Sequence, residues 1–200
     1  MKKFFALTLA LCVALSLSVT AFAAEIDDDG GSGSTPVYLS STQDGTIGGT
    51  PAPTAMSVTI PTSLPMAVSQ TGDVTTATDC ELVNNSYGAV RVKSVTITAQ
   101  NGWKLTAFGN KTTLASEKVD SNKLGFALTL GGGTQVATDT SDASTQTLIA
   151  APVTGCYMSG VGNSGANSIA VRYSAIVTPL STAATNANIA SVVFVVEWDT

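Results

Sequence analysis

Histidine is absent from the 200-residue chain. Its absence removes the commonest general base, the Ser-His and Cys-His nucleophile pairs, and most transition-metal ligand sets. Charge is scarce as well. Asp, Glu, Lys and Arg make up 12% of residues, about half the share usual for a globular chain. Nine basic residues stand against fourteen acids, so the basic footprint of a nucleic-acid binder is missing. Cysteine is confined to Cys12, Cys80 and Cys156, which without histidine leaves no ordinary metal site. Hydrophobic residues still reach 44%, enough to fill a core and exclude wholesale disorder. These absences lead us to expect a non-enzymatic protein without cofactor or metal.

What is present begins with an export signal. Lys2 and Lys3 form a charged n-region, Phe4 to Val19 is nearly all apolar or small, and Ala21-Phe22-Ala23 supplies a small-x-small cleavage pattern. We read residues 1–24 as a signal peptide in preference to a membrane anchor or a lipoprotein signal at Cys12. Removal of Lys2 and Lys3 leaves seven basic residues against fourteen acids. No membrane association is expected after cleavage. Residues 25–55 open with Glu25-Ile26-Asp27-Asp28-Asp29 and continue through Gly30-Gly31-Ser32-Gly33-Ser34 into Pro-, Gly- and Thr-rich sequence. They read as a flexible acidic tether, with Tyr38-Leu39 as its one sizeable apolar pair. The Asp triplet lacks the spacing of a calcium loop.

From Met56 the pattern is that of strands. Ser57-Val58-Thr59-Ile60 alternates up to Pro61, and Pro65 marks the next run as an edge. The longest alternation, Val90 to Ala99, slips phase near Ser94 as a β-bulge would make it. Asn101-Gly102 then predicts a hairpin joining this run to Trp103–Phe108. Further strands are expected over Leu124–Leu130, Ile169–Val177 and Ile189–Trp198. Only Thr113 to Lys123 carries a helical signal, with Ser116 as its cap. The spacing of strands and turns predicts an all-β fold, a single antiparallel β-sandwich over residues 56–200.

With Cys12 removed, Cys80 and Cys156 are expected to form a disulfide, as lone pairs in oxidising compartments do. Two buried free thiols are the alternative. Gly160-Val161-Gly162-Asn163-Ser164-Gly165 matches the dinucleotide fingerprint by letter. A strand-like segment follows it where a helix is required, so it reads as a loop. Glu197 and Asp199 flank Trp198 and are the one carboxylate pair set on a common strand face, the minimum for a glycosidase without histidine. Six of the seven basic residues fall between Arg91 and Lys123. They suggest a locally basic surface able to meet anionic wall polymer or the acidic tether of another copy.

Trp103-Lys104-Leu105, after Gly102 and a Thr/Val-rich strand, resembles the first motif of WxL-domain proteins of low-GC Gram-positive bacteria. Phe194–Thr200 carries Trp198 where that family has its second Trp motif, with Thr200 in place of Leu. The resemblance implies non-covalent attachment to cell-wall peptidoglycan, with Trp103, Lys104, Leu105 and Trp198 as ligand contacts or, for the tryptophans, as core. The C-terminus has no LPxTG-type signal, so covalent anchoring is not expected. The first expectation is therefore a secreted wall-binding protein of the bacterial surface. The rival is a self-associating subunit of an extracellular fibre, in which an N-terminal arm adds a strand to its neighbour. A glycosidase using Glu197 and Asp199 comes third.

Overall fold

The longest alternation sets the frame of the molecule. In the computed structural model, which describes residues 55–200, β5 (Val90–Ala99) buries Val90, Val92, Val95 and Ile97 completely. The assignments made over residues 1–54, including Cys12 and Tyr38-Leu39, lie outside the described residues. The bulge falls where the phase slip predicts it. Opposite β12 (Ala190–Trp198), Val195 pairs with Ser94 while Val196 pairs with Val92, so Lys93 is the extra residue.

Around β5 lies one sheet of the sandwich. β12 occupies one of its edges, and β9 (Thr145–Ile149) and β10 (Tyr157–Met158) share the other. The second sheet runs β1 (Val58–Thr59), β4 (Glu81–Asn84), β11 (Ser168–Val177), β7 (Lys123–Leu130) and β6 (Lys104–Thr106), with β8 (Val136–Ala137) also on β7. Leu82, Leu105, Leu124, Leu128 and Val171 of this sheet join Val90, Val92, Val95 and Ile97 of β5 in one core. The fold is all-β, as expected, and antiparallel except where β6 runs parallel to β7.

That exception corrects the predicted hairpin. Asn101 and Gly102 do adopt the positive φ values, 51° and 81°, that a tight primed turn needs, and the Trp103 N–H bonds Gln100 O at 3.0 Å. The strand after the turn does not return along β5, because both edges of β5 are already taken. It crosses to the other sheet and pairs with β7. Similarly, the Gly160–Gly165 loop leads from β10 in one sheet to β11 in the other, with no helix after it.

Two small elements seal the sides. β2 (Met66–Val68) and β3 (Val74–Thr76) pair only with each other. Tyr173 of β11 anchors them: its hydroxyl donates to Pro65 O and accepts from Ala77 N, and its ring stacks on Phe126 with centroids 6.0 Å apart. Burial pushes the Tyr173 hydroxyl pKa up. The helix α1 (Lys111–Ala115) is shorter and earlier than the sequence suggests. Asn110 is its N-cap, accepting from Thr112 N at 3.1 Å, and Ser116 closes the C-terminus. Leu114 is its buried residue.

Candidate functional site

β12 is an apolar strand at a sheet edge, and its two faces differ. Val192, Phe194, Val196 and Trp198 lie opposite Ile97, Val95, Val92 and Val90 on the core side. Those β5 partners are fully buried, whereas the β12 residues are only half-buried although packed on the same core. On the outer face Val193 and Val195 are 51% and 43% exposed. Among the described residues β12 pairs with β5 alone. Ile189 O accepts from Gln100 N, and Asp199 N donates to Ala89 O. Alternate residues of an antiparallel strand bond to the same side. Ala190, Val192, Phe194, Val196 and Trp198 therefore direct their backbone N–H and C=O groups outward from the sheet.

The end of this strand is fixed by an amide that reads in the sequence only as part of a turn. Asn84 is fully buried. Its Nδ2 donates to Gly88 O and Ser159 O, both at 2.9 Å, and its Oδ1 accepts from Ser86 N at 2.9 Å. The Gly88 segment so held is the floor on which Trp198 packs. A Cβ at Gly88 would sit 2.9 Å from Trp198 Cζ3, so the indole needs glycine there.

The acid pair is neutralised by cations of β5. Glu197 meets Arg91 Nε at 3.0 Å and Lys93 Nζ at 3.1 Å, and Asp199 meets Arg91 Nη1 at 3.1 Å. Lys93, and after it Arg91, hold the Glu197 carboxyl below its ordinary pKa. A glycosidase acid needs the opposite shift to stay protonated; this arrangement favours the ionised form of Glu197. Lys111 pairs with Asp73, and Lys123 with Glu117 at 3.0 Å and Asp142 at 3.6 Å. Glu117 is the main cause of a raised Lys123 pKa. The run of cations in the sequence is thus largely matched to acids. Lys104 and Lys118 form no ion pair among the described residues.

The residues of the Trp-Lys-Leu motif and Trp198 are not brought together. Trp103 is half-buried against the core, Lys104 is exposed, and Leu105 is fully buried. Trp103 follows the Ala99 end of β5, whereas Trp198 pairs with Val90 at the other end. Ten residues of strand at about 3.3 Å each separate the two by about 30 Å.

The cysteines overturn the disulfide expectation: Cys80 and Cys156 are free thiols. The sandwich assigns them to different sheets. Cys80 O accepts from Val171 N of β11, while Cys156 O accepts from Val92 N of β5. Cys156 is sealed in the core, and the Cys80 sulfur points to Ser63 O at 4.0 Å. Cys80 borders a shallow cleft of about 370 Å³ with Thr59, Ile60, Pro61, Ser63 and Val83. Among the described residues no three Cys, Asp or Glu side chains group as metal ligands, and no helix is long and apolar enough to cross a membrane. Comparison with protein-family models, with curated proteins and with solved structures finds no match.

Proposed function

We propose that this chain is a non-enzymatic bacterial surface protein that assembles by β-strand addition at the open edge of β12. The observation that carries the reading is the contrast across one pair of strands. Val92, Val95 and Ile97 of β5 are fully buried, while Val196, Phe194 and Val192 beside them remain half-covered. An added strand would cover that apolar surface and take up the outward backbone groups, which is how strand addition gains affinity. Natural edges are commonly blunted by lysine, proline or short length. β12 has none of these: it is nine residues long and carries Val192-Val193-Phe194-Val195-Val196 without interruption. Location at the surface rests on the signal pattern of residues 1–24 and on the resemblance of Trp103-Lys104-Leu105 to the WxL motif.

Sedimentation velocity of the mature chain, Glu25–Thr200, tests the reading. Species growing with concentration are expected, and Val193→Lys/Val195→Lys should suppress them. A chain that sediments as a monomer throughout overturns the proposal. A second reading, attachment to anionic wall polymer, is favoured by exposed Lys104 beside half-buried Trp103. It predicts salt-sensitive co-sedimentation with purified peptidoglycan that Lys104→Glu weakens; no retention at moderate salt would end it.

A further inference from the structure

We propose that the strand received by β12 is residues 36–44 of another copy of this chain, so that assembly runs head to tail. The inference rests on strand addition at β12 and names the donor. Three observations point to this segment. First, residues 25–54 precede the described domain; at about 3.3 Å per residue they can span about 100 Å, far more than the length of β12. Second, Val37-Tyr38-Leu39 is the one run of consecutive large apolar side chains in that stretch. Period-two alternation puts Val37 and Leu39 on one face and Tyr38 on the other. With Val37 and Leu39 toward the core they cover the open halves of Val192, Phe194 and Val196, and Tyr38 lies beside exposed Val193 and Val195. Pro36 begins the segment, tolerable at an edge because it needs no ladder partner there, and Asp44-Gly45 ends it with a turn signal.

The third observation is polarity. The domain is entered at the same end as Trp198: Ser57 N donates to Ser86 Oγ at 2.8 Å, and Asn85 N donates to Ser57 O at 2.8 Å. Just ahead lies Thr50-Pro51-Ala52-Pro53. A residue before proline favours extended backbone, and closely spaced prolines stiffen a chain. Donor and acceptor are different surfaces, so the contact is heterologous and passes from copy to copy.

Complementation between two variants of the mature chain tests the assignment. Val37→Asp/Leu39→Asp removes the donor without touching the folded domain. Val193→Lys/Val195→Lys removes the acceptor through exposed side chains only, and Val192→Pro is a second acceptor variant aimed at an outward N–H. Two apolar contacts replaced by carboxylates should weaken self-association at least about 100-fold. Either variant alone is expected to sediment as a monomer, and an equimolar mixture as one-to-one pairs that grow no further. Undiminished assembly of Val37→Asp/Leu39→Asp overturns the donor assignment and leaves strand addition at β12 standing. Assembly indifferent to the acceptor variants overturns both, as does a wild-type chain that stays monomeric to about 1 mM.

Discussion

Replacement of Asn84 is the sharpest test of how the Trp198 end of the domain is held. The side chain is fully buried and makes three hydrogen bonds of 2.9 Å, to Gly88 O, Ser159 O and Ser86 N. Asn84→Ala removes all three and leaves their partners unpaired in the interior. At about 1 kcal/mol net per bond, with a further penalty for each stranded group, the loss should be about 3–5 kcal/mol. That is a large fraction of the 5–15 kcal/mol typical of a whole domain. Asn84→Asp keeps the shape but replaces the donating Nδ2 with a carboxylate oxygen, an acceptor facing two carbonyl oxygens. Its carboxyl pKa should therefore rise above the unfolded value of about 3.9. Destabilisation relative to wild type is then full above the folded pKa, and it shrinks as pH falls through that value toward the unfolded one. Urea unfolding at neutral and acid pH measures both effects through the midpoint at constant m-value. A loss below about 1 kcal/mol for Asn84→Ala, or an Asp variant whose deficit does not narrow on acidification, would refute the reasoning.

Glu197→Gln gives the reciprocal pH behaviour. The Glu197 pKa is depressed by Lys93 and Arg91, so its stabilisation is present above the unfolded carboxylate pKa and lost as pH falls through the folded one. The difference from wild type, measured by thermal unfolding, should vanish in acid and diminish with added salt. Gly88→Ala should cost about 1–3 kcal/mol, because the new Cβ displaces the Trp198 ring, and in a Trp103→Phe background the shift should appear in tryptophan emission. Denatured, unreduced protein should titrate both Cys80 and Cys156, and in the folded state Cys80 should react first while core-buried Cys156 stays inert. A denatured chain with no reactive thiol would reinstate the disulfide.

Local pattern carried much of this fold into the sequence. Val90 to Ala99 announces both its buried face and its bulge, since a period-two strand can change phase only by gaining a residue, and Lys93 is that residue. Asn101-Gly102 likewise fixes the turn through its positive φ values. It says nothing of where the next strand goes, which depends on β5 having both edges filled by β12, β9 and β10. The same limit accounts for the charges. Arg91 and Lys93 look like part of a basic cluster until the register sets Glu197 opposite Arg91, a contact between residues more than a hundred positions apart. Cys80 and Cys156 form no disulfide, because the Cys80 sulfur turns to Ser63 O while Cys156 is sealed in the core, a placement that spacing cannot express. The apolar character of Val192–Val196 was legible. That the strand lies at an edge, with its core face half-covered, is a property of strand order alone.

Amide-resolved hydrogen exchange on the mature chain addresses β12 most directly, read by NMR at low and high protein concentration. Ser191, Val193 and Val195 face β5 and should be protected at every concentration. Protection of Ala190, Val192, Phe194, Val196 and Trp198 should rise with concentration as added strands engage their outward N–H groups. Outward amides that exchange equally fast at both concentrations, or that are already protected in dilute solution, would contradict strand addition between chains at this edge.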